Sequence, residues 1–209
     1  MISQWIKVLK APVVRCASAM IMLGVLAACA AQAPVPQDKF YRLQAVLASA
    51  PLTAPILPGV LEIERFTADG LTAGRPIVYA DSSDPNQLRE YHYHFWTQTP
   101  TVMLRDELVA YLRKAGVAKN IVTPEMRLEA DYILSGRIRM LEQVIGAQKG
   151  TVMELEIALR NPRNGKLLFL KPYRHEVEQS EIGVAAAVDS LNETLNIIYA
   201  DVLADLKNL

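Results

Sequence analysis

The chain has 209 residues, of which 51% are hydrophobic and 21% are charged. This composition is typical of a globular protein and excludes a disordered polar tail, while the length is too short for two full-sized domains. Lys plus Arg and Asp plus Glu number 22 each, and the resulting formal charge of zero argues against a nucleic-acid-binding protein, which would carry a basic surface.

The first 28 residues have the pattern of an export signal. Residues 1–15 contain three cations and no acid, and residues 17–28 then run for 12 residues without a charge. A basic start followed by about 7–15 apolar residues is typical of a secretory signal peptide, and the run is shorter than the roughly 20 residues that a membrane-spanning helix needs. Removal of this segment leaves 19 cations and 22 acids, a formal charge of −3.

The signal ends in Leu26-Ala27-Ala28-Cys29, which resembles the lipobox of bacterial lipoproteins. The thiol of Cys29 is then the nucleophile that takes a diacylglycerol, and several acyl chains such as palmitate anchor the protein stably, since each buried CH₂ contributes about 0.8 kcal/mol. The alternative is a plain signal peptide that leaves a free cysteine. We disfavour it because an exposed unpaired thiol is a liability in an oxidising compartment.

Residues 29–38 are predicted to be the lipidated N-terminus and a short tether, since they are small, polar and contain prolines. The nine residues after the cysteine reach at most roughly 30 Å when fully extended. The residue that follows Cys29 is Ala30. In Gram-negative lipoproteins, which this N-terminus resembles, Asp at that position favours retention in the inner membrane. Ala30 therefore favours the outer membrane, with the domain facing the periplasm.

In the first half of the folded part, apolar residues alternate with polar ones and predict four strands. These strands are residues 39–46, 60–66, 76–80 and 90–96. In the second of them, Leu61, Ile63 and Arg65 are expected on one face. The proline-rich segment 48–59 cannot be helical, and residues 81–87 are predicted to form a turn cluster.

Two amphipathic helices are predicted. The first covers residues 100–115, with Thr99 as N-cap, Pro100 in the first helical position and Gly116 at the C-terminus. The second covers residues 183–207 and has an unbroken apolar stripe. It also carries a line of acids, Asp189, Glu193, Asp201 and Asp205. We interpret this line as a solvated face, with a docking ridge for a basic partner as the alternative.

Between the helices, a meander of three strands is predicted at residues 131–145, 151–160 and 166–178. In the first of these strands, Ile138 and Met140 are expected on the apolar face. The pair Asn164-Gly165 is a strong hairpin signal. The sequence therefore predicts a single α+β domain over residues 39–209. We expect a mixed or antiparallel sheet of about five to seven strands, with both long helices packed on one face.

The sequence contains no catalytic signature. It has no P-loop, no nucleophile elbow and no H-E-x-x-H zinc motif, so it predicts no enzyme, no metal and no cofactor. His92 and His94 share a strand face and could chelate zinc with His175 as a third ligand, but two ordinary histidines are the favoured interpretation. Glu62 and Glu64 also share a face, which is more often the solvated side of a strand than an acid–base pair.

A series of soft motifs extends over the mature chain. They are the lipobox cysteine Cys29, the opening FYRL at residues 40–43, VLEIERF at 60–66, PIVYA at 76–80, an aromatic strand that ends at Trp96, and a helix with Leu104 and Leu108. In this order the motifs resemble the ABC-type transport auxiliary lipoproteins, a family that includes the paraquat-inducible protein C type. One departure is Phe95, where many relatives have an arginine before the tryptophan.

The resemblance implies a non-enzymatic auxiliary subunit for intermembrane lipid transport, which docks other components or transfers lipid. Its implied partners are a periplasmic protein of the mammalian-cell-entry type and the ABC permease with its ATPase. The chain would be held on the membrane by its lipid anchor, with a homo-oligomer as a further possibility and no nucleic acid. The candidate partner or lipid contacts are Leu52, Ile56, Leu57 and Trp96. Because one face of the aromatic strand must be buried, either Trp96 or the opposite set of Tyr91, Tyr93 and Phe95 is expected in the core.

Two other functions stay open at this stage. The first is a stand-alone structural or assembly lipoprotein of the cell envelope. The second is a small periplasmic hydrolase or metalloprotein, for which the histidine pair is the only suggestive feature.

Overall fold

The computed structural model describes residues 35–179, 181 and 183–209. The predicted signal peptide and Cys29 lie outside these residues. Residues 38–209 form one compact unit. Its strands are β1 (Lys39–Tyr41), β2 (Leu57–Ile63), β3 (Thr67–Ala68), β4 (Pro76–Asp81), β5 (Asp84–Trp96), β6 (Ala118–Val122), β7 (Tyr132–Ile145), β8 (Gly150–Arg160) and β9 (Leu167–Glu178), and its helices are α1 (Pro100–Ala115) and α2 (Val184–Lys207). Neither helix combines the length and the apolar character that crossing a membrane requires.

The sheet is built around β7. One edge of β7 pairs antiparallel with β8 along nearly its whole length, and β9 extends the sheet beyond β8. The other edge is shared by three short parallel strands: β2 at the start of β7, β3 in the middle and β4 at the end. Outside these, β6 pairs with β2, β5 pairs with β4, and β1 pairs with β5. The predicted mixed sheet is confirmed. It has nine strands, two more than the seven predicted, because β3 and β6 are too short to show an alternating pattern.

Both helices pack on one face of this sheet, as predicted. The inward residues of β8 are fully buried in the same cluster as the apolar stripe of α2. The helices also contact each other: the Tyr199 hydroxyl donates to the Leu104 carbonyl at 2.6 Å, and its ring meets that of Tyr111 at 5.6 Å. The bounds of α1 match the prediction and Gly116 adopts the left-handed conformation at φ 74°, but the Thr99 side chain makes no capping bond.

The strand predicted over residues 60–66 ends earlier, at Ile63. Leu61 and Ile63 are buried as expected, whereas Arg65 is exposed and Phe66 turns into the core. The Phe66 ring lies on the backbone of β7 at Gly136, where a Cβ atom would stand 2.5 Å from it. A side chain at position 136 is therefore excluded by this packing.

Met140 is half-buried and does not occupy the inward position that the alternation predicts. The pairing of β7 with β8 shifts by one residue between Ile138 and Met140. This β-bulge moves Leu141 to the inward position, where it is buried.

Residues 42–47, here called the crossing segment, leave the sheet and run over both helices. The sequence predicts that the first strand continues to residue 46, but it ends at Tyr41 because its partner β5 ends at Trp96. Backbone groups without a strand partner need other bonds. Three amides of the segment donate to side chains of α1 and α2: Gln44 to Asn192 (2.8 Å), Ala45 to Glu107 (2.8 Å) and Val46 to Asn196 (2.7 Å).

The crossing segment is also held by buried leucines. Leu43 and Leu47 belong to the hydrophobic core, and the Leu43 amide lies 3.5 Å from the Met103 sulfur. The chain that follows the predicted tether is thus fixed to both helices within a few residues of β1.

We expect Leu43→Ala to lower the free energy of unfolding by about 2–5 kcal/mol, because it leaves a cavity in the core. The matched control is Val46→Ala in the same segment, which should change the free energy of unfolding by no more than about 0.5 kcal/mol. The two side chains differ in exposure, 1% for Leu43 and 59% for Val46. Urea unfolding followed by circular dichroism measures both, and equal effects would contradict the packing of this segment.

Candidate functional site at the aromatic edge of the sheet

Aromatic side chains are concentrated on β1, β4 and β5, at one edge of the sheet. Four of them form a continuous row: Tyr79 and Tyr91 lie 4.4 Å apart between ring centroids, Tyr91 and His94 5.5 Å apart, and His94 and Tyr41 5.6 Å apart. The Tyr41 hydroxyl and His94 Nδ1 are in hydrogen-bond contact at 2.9 Å. The Tyr91 hydroxyl donates to Gln143 Oε1 at 2.9 Å, which ties the row to β7.

A second aromatic group lies at the outer part of the same edge. The rings of Phe40 and Phe95 are 5.8 Å apart, and the Arg75 guanidinium stands 5.5 Å from the Phe40 centroid. Phe40 is 54% exposed and Tyr93 is 42% exposed. We call the rings of β1 and β5, together with Arg75, the aromatic edge.

An irregularity in β5 gives this edge its shape. The pairing of β4 with β5 shifts between Pro76↔Phe95 and Val78↔Glu90, so the β5 strand is longer than the part of β4 it faces. Such bulges re-aim side chains. A groove of about 460 Å³ results, lined mainly by Tyr79, Tyr91, Phe95 and Arg89. The strand itself begins at Asp84, so the turn that joins β4 to β5 is shorter than the predicted cluster of residues 81–87.

The aromatic edge is basic at its rim. Lys39, Arg42, Arg75 and Arg89 are all exposed, and no carboxylate of the described residues lies within 4.0 Å of their nitrogens. Burial lowers the pKa of His94, with a further contribution from Lys39, and burial raises the pKa of Tyr41 and Tyr91. At neutral pH these three rings are therefore uncharged. The edge thus combines neutral polar aromatics with exposed cations.

The predicted contact residues divide between the core and the loop before β2. Trp96 is 1% exposed and Leu57 is also buried. The face of β5 that carries Trp96 therefore packs on the core, while Tyr93 is exposed to solvent. Leu52 and Ile56 are half-buried against the core. Sequence reasoning missed Phe40 as a member of the aromatic edge, because its partner Phe95 lies 55 positions away in the chain.

The three histidines do not come together. His92 is exposed, and His94 is in hydrogen-bond contact with the Tyr41 hydroxyl. His175 lies on β9, where its Nε2 is 3.2 Å from Asp201 Oδ2. Within the described ranges there is no group of three or more His, Cys, Asp or Glu side chains placed to hold a metal ion.

The acidic line of α2 is partly bound to β9. Asp205 accepts from the Lys171 ammonium at 2.8 Å and from the Tyr173 hydroxyl at 2.6 Å. These two bonds lower the pKa of Asp205, while burial and the Asp205 bond raise that of Tyr173. Asp189 and Glu193 are exposed. The line is thus a solvated face at one end and a set of structural contacts at the other.

One buried carboxylate lies outside both regions. Glu142 on β7 is 8% exposed, and its Oε2 atom has no hydrogen-bond partner among the described residues. Burial raises the pKa of Glu142, partly offset by the charge of Arg174. An ionised form at this position is costly because its charge is poorly solvated.

The pKa of His94 predicts an acid-side loss of stability. Because the pKa is lower in the folded protein, the unfolded chain binds more protons below about pH 6.5, and the free energy of unfolding falls as the pH falls through the folded-state pKa. We expect His94→Asn to reduce this slope. His92→Asn, which removes an exposed histidine of the same strand, should retain it. Urea unfolding at a series of pH values tests this, and identical slopes in the two variants would refute it.

For Glu142 the sign is opposite. A raised folded-state pKa means that the contribution to stability is present below the ordinary pKa of about 4.5 and is lost as the pH rises through the folded-state pKa. Glu142→Gln should therefore raise the free energy of unfolding at neutral pH, with a gain that disappears in acid. The contrasting variant is Glu154→Gln, which breaks an exposed ion pair with Arg174 and should cost about 0.2–1 kcal/mol. Destabilisation by Glu142→Gln at neutral pH would be the contrary result.

Comparison with known proteins connects this fold to a family. Residues 41–202 match the family described as the ABC-type transport auxiliary lipoprotein component, while no curated protein matches the chain. The crystal structure of a Xanthomonas campestris protein of the DUF330 family is similar, with a TM-score of 0.67 and 18% identity over 79% of this chain and 92% of that one. A second crystal structure, of an uncharacterized protein, has a TM-score of 0.63 and 20% identity over 81% and 99% of the two chains.

These two likenesses show a shared fold. The family match begins at the last residue of β1 and ends within α2, so it covers the crossing segment, β5, α1 and most of α2, while Phe40 lies just before it. The chain belongs to the family of ABC-type transport auxiliary lipoprotein components.

Proposed function

We propose that this protein is an outer-membrane-anchored periplasmic lipoprotein that serves as the docking or lipid-transfer subunit of an ABC-type intermembrane lipid transport system. Its partners in this proposal are a periplasmic protein of the mammalian-cell-entry type and the ABC permease with its ATPase. The observation that carries the proposal is the family match over residues 41–202.

The proposed anchor is the acylated Cys29, followed by Ala30 and a tether of nine residues. The crossing segment supports this arrangement, because it fixes the chain to α1 and α2 directly after β1. A domain held in this way stays within roughly 30 Å of the anchored cysteine. It would meet only those partners that approach the membrane surface.

The proposed role is non-catalytic. Three polar side chains that could suggest chemistry have structural partners: His94 contacts Tyr41, His175 contacts Asp201, and Asp205 binds Lys171. These contacts join neighbouring elements of the fold.

Leu52 and Ile56 are the proposed contacts for the protein partner. Their loop is held in place by backbone bonds, since the Leu52 amide donates to the Ala115 carbonyl at 2.9 Å and the Ile56 amide to the Val117 carbonyl at 2.9 Å. Both side chains keep part of their surface exposed beside the end of α1. A preformed apolar loop of this kind binds with little ordering cost.

The test is a pull-down of the intact lipoprotein from solubilised membranes, read by mass spectrometry beside a Cys29→Ala control. We expect the wild type to recover a mammalian-cell-entry-type protein or its permease, and the control shows whether docking needs the anchor. The double variant Leu52→Ser and Ile56→Ser should lose at least tenfold of the recovered partner. Leu128→Ser, which removes an exposed leucine after β6, should not.

Recovery of the wild type alone, or with unrelated envelope proteins, would overturn the transport role and favour a structural lipoprotein. Native mass spectrometry of the recovered complex counts the copies of this chain, and so tests whether it forms a homo-oligomer.

A further inference from the structure

We infer that the aromatic edge is a membrane-contact surface, which rests on the phospholipid headgroups of the membrane that carries the acyl anchor. The inference deepens the proposed function and depends on its acylated Cys29. The occupant of the surface is a lipid surface with anionic headgroups. Three independent properties of the edge lead to this assignment: its exposed apolar rings, its cations and its position in the chain.

The first property is the exposed apolar surface. Phe40, Leu88 and Tyr93 on β1 and β5 keep 54%, 40% and 42% of their surface in contact with solvent. Aromatic rings with a polar rim are favoured at the boundary between hydrocarbon and water. A row of such rings along an edge is suited to a planar boundary.

The second property is charge. Lys39, Arg42, Arg75 and Arg89 lie on or next to β1, β4 and β5, against the exposed acids Asp38, Asp84 and Glu90 of the same region. Long basic side chains lay their apolar stems on neighbouring rings and extend their charge towards phosphate. Arg75 is placed differently: its guanidinium lies over the exposed Phe40 ring, 5.5 Å from the centroid, and its Nε donates to the Trp96 carbonyl at 3.1 Å, so a cation is held directly beside an exposed ring. Each cation near an anionic surface adds attraction, so the edge and the headgroups are complementary in charge.

The third property is the length of chain that precedes the edge. Nine residues lie between Cys29 and Lys39, so β1 begins within roughly 35 Å of the anchored sulfur even when the tether is fully extended. The tether therefore delivers β1 to the lipid surface first. Such tethering maintains a high local concentration of membrane, so that weak contacts suffice to keep the edge occupied.

The opposite edge of the sheet provides the comparison. Leu167 and Leu170 on β9 are also exposed, at 53% and 54%, but β9 is separated from β1 by β8, β7, β4 and β5. At about 4.8 Å for each of the five strand spacings this amounts to about 24 Å along the sheet. Exposure alone thus does not distinguish the two edges, whereas the β1 edge is the nearer of the two to the tether.

The experiment uses the acylated mature lipoprotein in vesicles of phosphatidylethanolamine and phosphatidylglycerol. Position 29 holds the only cysteine after the signal, and its thiol is acylated, so an introduced cysteine can be labelled alone. A nitroxide at Tyr93→Cys is compared with one at Leu167→Cys, and accessibility to oxygen and to a soluble nickel complex reports whether the label is in lipid or in water. Leu88→Cys is the second reporter on β5. Each labelled variant is first checked for the wild-type melting temperature.

We expect the label at position 93 to be shielded from nickel and exposed to oxygen, while the label at position 167 stays in water. The double variant Lys39→Ala, Arg89→Ala should shift the equilibrium away from the membrane. The ratio of domains whose aromatic edge contacts lipid to domains whose edge is in water should fall about fivefold for each cation removed. The matched control is Lys119→Ala with Lys166→Ala, an exposed lysine of β6 and one of the turn before β9, which should leave the ratio unchanged. Replacing phosphatidylglycerol by phosphatidylcholine should have the same effect as removing the cations.

Labels at positions 88 and 93 that are as accessible to nickel as the label at 167 would overturn the inference. So would shielding at all three positions, or shielding that does not depend on the cations or on anionic lipid. Failure of acylation appears separately, as protein that does not float with the vesicles, and the inference then falls with its anchor. Failure of the transport role appears only in the pull-down and leaves these readouts unaffected.

Discussion

The ladder of hydrogen bonds between β7 and β8 is the interaction on which the rest of this domain depends. It runs from Ile133↔Arg160 to Val144↔Gly150 and places the inward side chains of both strands under the helices. The other edge of β7 is the template for β2, β3 and β4, strands of two to seven residues that would not persist in water without it. The strands farther out depend on β7 indirectly: β6 pairs with β2, β5 pairs with β4, and β1 pairs with β5.

Close packing transmits this order to the helices. The Phe66 ring lies against Gly136 of β7, and the Phe66 amide donates to the Thr101 carbonyl at the start of α1 at 3.2 Å. The crossing segment then joins α1 to α2 through Glu107, Asn192 and Asn196. The chain that follows the proposed tether is thereby connected to the core through a short series of contacts. It is therefore part of the folded domain within a few residues of the tether.

How far the sequence predicts this structure depends on the range of the interactions involved. The helices were predictable because their periodicity, their first proline and the glycine after α1 are local features. The end of β1 was not predictable from local sequence, because β1 can continue only as far as its partner β5, which ends more than 50 residues later in the chain. Likewise, a bulge in the pairing of β7 with β8 decides that Leu141 and not Met140 is buried.

The aromatic edge shows the same limit. The strand pattern of residues 90–96 could assign either Trp96 or its neighbours to the core, and only the packing of α1 and α2 decides for Trp96. The pairing of Phe40 with Phe95 requires the parallel register of β1 and β5, which no local pattern reveals.

Placing the β1 side of the sheet on lipid has a consequence for the other side. The sheet order puts β9 at the opposite edge, and the exposed acids Asp189 and Glu193 belong to α2, which packs over β8 and β9. Acidic groups are repelled by the same headgroups that attract Lys39 and Arg89. In the proposed arrangement this charge distribution favours an orientation in which the basic aromatic edge faces the membrane and Asp189 and Glu193 are kept away from it. A subunit with the proposed periplasmic partners would gain from such an orientation, because the tether by itself does not fix one.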